Sequence, residues 1–143
     1  MPTIHDRAVV ACKTTILTCV DWRIHRVGLQ NFVGQVYWPA DVRTEPGAAH
    51  ALVRDVVRRD CLLADLLMLV GAHSAETLFL LSHTDCAKYG GREAFPNADE
   101  EYKALWTDLI AAKTIIMQYP TLGMNLDVKL GIIRTGTSEV LHF

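Results

Sequence analysis

Thr77–Ser82 (TLFLLS) is a short, continuous run of apolar residues. Such a run is typical of a strand in a parallel sheet, because helices cover both faces of such a sheet. Thr14–Cys19 (TTILTC) is β-branched and apolar, and it predicts a second buried strand. These two strands define an α/β fold if helices lie between them.

Helical patterns do lie between and after these strands. Pro46 is favoured in the first turn of a helix, and the apolar residues after it have the i, i+3, i+4 spacing of one buried helix face. Asp60 is predicted to cap a second, buried helical piece, Cys61–Val70, which Gly71 ends. The predicted inner face of the first helix consists of Ala49, Leu52, Val53, Val56 and Val57.

A third, longer helix is predicted from a capping-box pattern at Asn97 and Glu100, and it reaches about Gln118. Tyr119-Pro120 ends it. Its inner face is predicted to contain Tyr102, Leu105, Trp106, Leu109, Ile110 and Ile116.

Three further strands complete the predicted sheet. Gln35–Val42 is a weaker strand, and Pro39 within it indicates an edge or a bend. Asp127–Arg134 and Ser138–Phe143 are separated by a turn short enough for a hairpin, so the last strand runs antiparallel. The sequence therefore predicts one α/β domain over residues 1–143. It has a mainly parallel sheet of about four strands, an antiparallel C-terminal strand and helices on both faces.

Composition excludes several classes of protein. Half of the 143 residues are hydrophobic, 21% are charged and the formal net charge is −2. A chain of this kind folds into a compact domain rather than staying disordered. It has no basic excess for nucleic-acid binding. The longest apolar run, Cys61–Val70, is broken by Asp65 and is too short for a membrane span.

The N-terminal residues predict no signal peptide, because charged residues precede only a short apolar run, Ala8–Cys12. We therefore expect a cytoplasmic protein whose cysteines are reduced thiols. A reduced cysteine is a core residue, a nucleophile or a metal ligand. The cysteines concerned are Cys12, Cys19, Cys61 and Cys86.

Chemically distinctive side chains follow the two buried strands directly. Cys19, Asp21 and Arg23 alternate after the first strand and would face one side of an extended chain. His83 and Cys86 follow the second strand at a spacing that lets both contact one ion. Two thiolates and one imidazole with an open fourth position are typical of a catalytic zinc site, so we predict metal binding here.

Other candidate residues have simpler interpretations. Cys12 and Cys61 lie in apolar stretches and are predicted to be core thiols. His50 begins the first helix, where a structural role is favoured over a role in the site. His73 lies near a helix end and is expected to complement the helix dipole. Asp85 is expected to cap the turn after the second buried strand rather than bind metal.

The two motifs together resemble the zinc signature of the β-class carbonic anhydrases: Cys-x-Asp-x-Arg at residues 19–23, then His-x-x-Cys at residues 83–86. Ser82–Gly90 (SHTDCAKYG) also looks like the second motif of that family, particularly of its small, divergent members. Trp22, Ala87 and the segment at residues 43–49 differ from the family pattern.

The resemblance implies an α/β fold and a zinc ion held by Cys19, His83 and Cys86. It implies Asp21 paired with Arg23 as the catalytic pair, and a homodimer or dimer of dimers with the site near the subunit interface. The implied reaction is reversible hydration of carbon dioxide to bicarbonate by zinc-bound hydroxide. Because two thiolates cancel the charge of the ion, we expect activity to climb above neutral pH.

Asp21 has two alternative roles in this scheme. Held by Arg23, it accepts a hydrogen bond from the zinc-bound hydroxide; released from Arg23, it fills the fourth zinc position and closes the site. The sequence leaves both roles open.

Three other functions compete with that of a carbonic anhydrase. A phosphatase with a cysteine nucleophile needs an arginine six positions after the cysteine, where this chain has His25. A hydrolase of carbonyl sulfide or carbon disulfide would use the same zinc site. A non-catalytic zinc-binding dimer would have Asp21 permanently on the metal.

Overall fold

A five-stranded sheet lies at the centre of the protein in the computed structural model, which describes residues 12–142. The strand order is β2-β1-β3-β4-β5; the first four strands are parallel, and β5 pairs antiparallel with β4. This confirms the predicted sheet, including its antiparallel final strand and the edge position of β2. The strands are β1 (Thr14–Thr18), β2 (Ala40–Thr44), β3 (Thr77–His83), β4 (Asp127–Ile133) and β5 (Val140–His142).

Helices cover both faces of the sheet, because successive side chains of the buried strands point to opposite sides. Leu17 and Leu80 pack against α3, α4 and α5 on one face, while Ile16 and Phe79 pack against α1 and α2 on the other. The helices are α1 (Trp22–His25), α2 (Leu29–Val33), α3 (Ala49–Arg54), α4 (Val56–His73) and α5 (Ala98–Gln118).

Asp55 separates α3 from α4, whereas the sequence predicted this break at Asp60. Asp55 has an extended backbone, and its carboxylate accepts a hydrogen bond from the backbone N–H of Arg58 at 3.1 Å. This cap starts a new helix and rotates the following residues outward, so Val56 and Val57 are exposed rather than on the inner face. The helix also runs past Gly71 to His73 and ends at Ser74, which has a left-handed backbone.

The start of β2 and the buried face of α5 also differ from the prediction. Residues 35–37 form a single 3₁₀ turn, and the strand predicted from Gln35 begins only at Ala40. The α5 helix begins as predicted, with Asn97 accepting a hydrogen bond from the Glu100 backbone N–H at 2.9 Å. Ile110 is exposed, however, and the side chains of Glu101 and Asp108 are buried in its place.

Both cysteines predicted to be core thiols lie elsewhere. Cys61 is exposed on α4, because only one face of that helix packs on the core, and Cys12 is half-buried just before β1. The N-terminal residues 1–11 and the predicted strand end at Phe143 lie outside the described residues. Among the helices that are described, none has the length and apolar character needed to cross a bilayer.

Candidate metal centre

Cys19, His83 and Cys86 meet at the carboxyl edge of the sheet. Cys19 follows β1, His83 is the last residue of β3, and these two strands are parallel neighbours in register. One ligand atom from each of the three residues lies within 4.8 Å of the others, and all three side chains are at least 95% buried. The structure therefore brings together the three residues that the sequence predicted as metal ligands.

The imidazole of His83 is oriented so that one nitrogen faces the two sulfurs. Its Nδ1 lies 2.8 Å from the carbonyl oxygen of Thr84, which assigns the ring proton to Nδ1. Thr135 Oγ1 lies 3.0 Å from the same nitrogen and donates its own hydrogen bond to the Thr84 carbonyl. Nε2 is buried and has no hydrogen-bond partner within the described chain. A buried, unpaired lone pair is costly unless it binds a ligand, so this nitrogen fits a metal ion.

The two sulfurs influence each other strongly. Hydrogen bonding from Cys86 lowers the pKa of Cys19, although burial opposes the shift. The backbone N–H of Gly47 donates to the same sulfur at 3.4 Å. The pKa of Cys86 is raised, first by its hydrogen bond to Cys19 and second by burial. These opposite shifts favour the thiolate form at Cys19, beside the thiol of Cys86 and the imidazole of His83. This donor set suits a divalent cation such as zinc.

Gly47 can approach Cys19 only because it lacks a side chain. Its backbone φ is +78°, and a Cβ atom would lie 2.7 Å from Cγ of Lys88 and 2.9 Å from Cβ of His50. A larger residue would be strained and would push apart the loop that donates to the sulfur.

Asp21 lies beside the three potential ligands and is held by Arg23. The backbone N–H of Arg23 donates to Asp21 Oδ1 at 2.9 Å, and its guanidinium donates to Oδ1 and Oδ2 at 3.1 and 2.8 Å. These hydrogen bonds lower the pKa of Asp21 to about 2. The carboxylate is thus an ionised acceptor of fixed orientation.

Asp85 holds Arg23 from the other side. Nη1 of Arg23 donates to Asp85 Oδ2 at 2.9 Å, and Nη2 donates to the Asp85 carbonyl at 3.0 Å. Asp85 also accepts from the backbone N–H of Arg92 at 2.8 Å, as its predicted turn-capping role requires. Its own N–H donates to the buried carboxylate of Glu101 at 2.7 Å.

An open cleft of about 510 Å³ leads from solvent to Cys19 and Cys86. Asp21 and Arg23 lie along one wall, and Lys88 lines the cleft as an exposed cation. Trp22 borders it and is 67% exposed. The cleft can therefore admit a small molecule to a site that is otherwise buried.

Two residues that the sequence did not indicate support the site from outside. Thr135 lies in the turn before β5 and contacts His83 across the sheet edge. His25 in α1 donates a hydrogen bond from Nε2 to the Cys19 carbonyl at 2.8 Å. No spacing in the sequence connects residues 83 and 135. The antiparallel hairpin, which was predicted, was the one available signal that Thr135 returns to this edge.

The remaining histidine candidates do not belong to the group formed by Cys19, His83 and Cys86. His50 does not line the cleft; its ring packs edge-on against Tyr89 with ring centroids 5.0 Å apart. His73 ends α4 as expected and pairs with Asp41 through a contact of 2.5 Å. The packing of His50 agrees with the structural role favoured for it, and His73 lies at the helix end as the sequence predicted.

The fold is that of the β-carbonic anhydrases. The carbonic anhydrase of Streptococcus mutans superposes with a TM-score of 0.65 at 16% identity, covering 97% of this chain and 88% of that chain. A tetrameric β-carbonic anhydrase of the ascomycete Sordaria macrospora gives a TM-score of 0.66 at 14% identity, covering 93% and 81%. A carbon disulfide hydrolase gives 0.59 at 14% identity, covering 92% and 78%.

This likeness is one of fold, since all three identities are low. No protein-family model matches the sequence, and no curated protein sequence matches it. The chain is thus a divergent example of the β-carbonic anhydrase fold with a Cys–His–Cys group that could hold a metal ion.

Proposed function

We propose that this protein is a zinc-dependent lyase of the carbonic anhydrase type, which reversibly hydrates carbon dioxide to bicarbonate. The observation that carries the proposal is the buried Cys19–His83–Cys86 group, with an unpaired His83 Nε2, at the end of an open cleft in a β-carbonic anhydrase fold. A zinc ion bound by these residues would supply an acidified water for attack on the substrate carbon.

Asp21 and Arg23 have defined roles in the proposed reaction. The ionised Asp21 carboxylate would accept a hydrogen bond from the attacking water and orient it, because its Oδ2 lies 3.9 Å from His83 Nε2. Arg23 is a positioning residue: it holds the carboxylate through its backbone and its guanidinium, and Asp85 holds the guanidinium. Lys88 lines the cleft, and its positive charge would attract an anionic product from the site into the cleft.

A second candidate reaction is hydrolysis of carbon disulfide or carbonyl sulfide. Two observations support this second reaction. A carbon disulfide hydrolase shares the fold, and the exposed apolar side chains of Val20 and Trp22 border the cleft. These linear molecules resemble carbon dioxide in shape, so the same donor set could act on them.

We also propose that the chain acts as a homodimer or a dimer of dimers. Val20 and Trp22 are 50% and 67% exposed at the cleft mouth, where a second subunit would bury them. The Sordaria macrospora β-carbonic anhydrases are tetrameric, which is consistent with assembly of subunits that have this fold.

We further propose a cytoplasmic location, because the metal site needs reduced thiols.

The test combines metal analysis with activity assays on the purified protein. We expect the unsubstituted chain to hydrate carbon dioxide, with activity increasing from neutral to alkaline pH. Cys86→Ser should lose this activity together with the zinc bound at the site. Cys61→Ser is the matched control, since Cys61 is exposed on α4 and should keep both.

Each outcome discriminates between functions. Activity toward carbon disulfide or carbonyl sulfide without carbon dioxide hydration would favour the hydrolase. Zinc binding with no activity on any of these molecules would indicate the non-catalytic zinc-binding dimer and overturn the proposed reaction. A chain that binds no zinc would overturn all three.

A further inference from the structure

A second group of metal-ligating side chains lies at the opposite end of β1. It consists of Cys12, Asp41 and His73, and one ligand atom from each lies within 4.8 Å of the others. Cys12 precedes the first residue of β1 by two positions, whereas Cys19 directly follows its last residue. The full length of the strand therefore separates the two groups, and this second group takes no part in the proposed reaction.

Three separate elements contribute to this second group. Cys12 comes from the approach to β1, Asp41 from the edge strand β2, and His73 from the last turn of α4. His73 Nδ1 lies 2.5 Å from Asp41 Oδ2, and the Cys12 sulfur lies 3.6 Å from the carbonyl oxygens of Thr14 and Pro39. Tertiary folding, and not sequence proximity, has placed a thiol, a carboxylate and an imidazole together.

The chemistry of this group matches a divalent transition metal. One thiolate and one carboxylate neutralise a 2+ charge, and a neutral imidazole completes a mixed set of S, O and N donors that zinc, cobalt and nickel accept. Two features of the surroundings also favour a cation. The C-terminus of the 18-residue helix α4 lies at His73, and two backbone carbonyls lie beside the sulfur.

Access from solvent is compatible with a bound ion. The side chains of His73 and Asp41 are 48% and 23% exposed, and Cys12 is half-buried. A fourth position could thus be filled by water. The nearest cation in sequence, Lys13, lies 3.8 Å from Glu76 and is directed to that carboxylate.

We propose that Cys12, Asp41 and His73 form a second divalent-metal site that takes a zinc-like transition metal ion. Binding displaces the thiol proton of Cys12 and any proton held between His73 and Asp41, and releases them to solvent. The ion would connect the end of α4 to the amino ends of β1 and β2. The site is independent of the proposed carbon dioxide chemistry.

The experiment uses the full chain with the first group removed by Cys19→Ser and Cys86→Ser. We expect cobalt(II) titration to give a thiolate-to-cobalt absorption band that saturates at about one ion per chain. Adding Cys12→Ser should abolish the band, and adding Cys61→Ser instead should leave it unchanged. A missing band, or a band that survives Cys12→Ser, would overturn the proposal.

A second measurement covers the case in which that double variant does not fold. Equilibrium dialysis of the unsubstituted chain against zinc should give about two ions per chain, falling to about one in His73→Ala and in Asp41→Asn. A zinc content that stays the same in His73→Ala and Asp41→Asn as in the unsubstituted chain would contradict the second site. Carbon dioxide hydration is expected to stay unchanged in both variants, so failure of this proposal is distinguishable from failure of the proposed function.

Discussion

Oδ2 of Asp21 lies 3.9 Å from Nε2 of His83, close to the group of candidate ligands and held by Arg23. Two forces act on this carboxylate. A metal ion at Cys19, His83 and Cys86 would attract it, while the hydrogen bonds from Arg23 keep it aimed at the guanidinium. Its position depends on the balance between them, and Arg23 is therefore the residue to change first.

Arg23→Ala is expected to lower carbon dioxide hydration by about 10–100-fold while zinc content is retained. Without the guanidinium, Asp21 loses all three hydrogen bonds from the Arg23 side chain and can approach the metal, where it would close the open position. The measurement is kcat/KM alongside zinc per chain.

The matched control is Arg26→Ala, which removes an exposed arginine at the end of α1 and leaves the Asp21 contacts intact. Full activity in Arg23→Ala would show that Asp21 keeps its position without the arginine, and the positioning role would be wrong.

Gly47→Ala should destabilise the protein and weaken metal binding together. The new Cβ meets Lys88 and His50 at less than 3 Å, which adds about 1–3 kcal/mol of overpacking to the backbone strain of a positive φ. The displaced loop would also withdraw the N–H that donates to Cys19. Chemical denaturation and zinc competition titration measure the two effects.

Gly34→Ala is a suitable control for this substitution. Gly34 also has a positive φ, +92°, but a Cβ there would meet nothing within 4 Å. It should lose about 1–3 kcal/mol through backbone strain alone, with unchanged zinc affinity. Equal losses of zinc affinity in the two variants would refute the argument from crowding at Gly47.

The fold was predictable from the sequence because its strands are strongly marked. Thr14–Cys19 is β-branched and apolar, and Thr77–Ser82 is a continuous apolar run; both are typical of strands in a covered sheet. The capping signal at Asn97 placed the start of α5 correctly. The break at Asp55 was missed because the apolar spacing continues through it. The helix boundary depends on one local hydrogen bond to Asp55, whereas the apolar spacing alone permits an unbroken helix.

The sequence indicated the three candidate ligands and the Asp21–Arg23 pair, but not most of the contacts that support them. Cys19, His83 and Cys86 follow strands that must end at the same edge of a parallel sheet, so their convergence follows from topology. The contact of Thr135 with His83 and that of Asp85 with Arg23 depend on turn geometry and side-chain rotamers, which no spacing rule contains. The same holds for Cys12, whose neighbours Asp41 and His73 come from distant parts of the chain.

Thr135→Val tests the support of His83 from the C-terminal turn. Valine keeps the shape but removes the hydroxyl that contacts Nδ1 and donates to the Thr84 carbonyl, so the ring should lose its fixed orientation. We expect zinc affinity to fall by about 10–100-fold. Thr135→Ser should restore it, because serine keeps the hydroxyl.

Thr114→Val is the control for this position, since it removes only a hydroxyl that donates to the Ile110 carbonyl within α5. It should leave zinc affinity unchanged. Equal affinity in Thr135→Val and the unsubstituted chain would mean that the Thr84 carbonyl alone orients the ring.

His50 should make the stability of the metal-free protein dependent on pH. Burial is the main cause that lowers its pKa, and the cations Lys88 and Arg54 lower it further, while Asp108 and Asp55 oppose the shift. Its Nδ1 is buried and unpaired among the described residues, so a proton there has no acceptor.

The unfolded chain therefore takes up a proton on His50 at a higher pH than the folded chain does. Stability from this residue is complete above the unfolded pKa of about 6.5 and decreases as pH falls toward the lower folded value. Urea denaturation in the presence of a chelator should show a smaller loss of stability between pH 7.5 and pH 5.5 in His50→Gln than in the unsubstituted chain. An equal loss of stability in the two proteins would show that the pKa of His50 is the same in the folded and unfolded states.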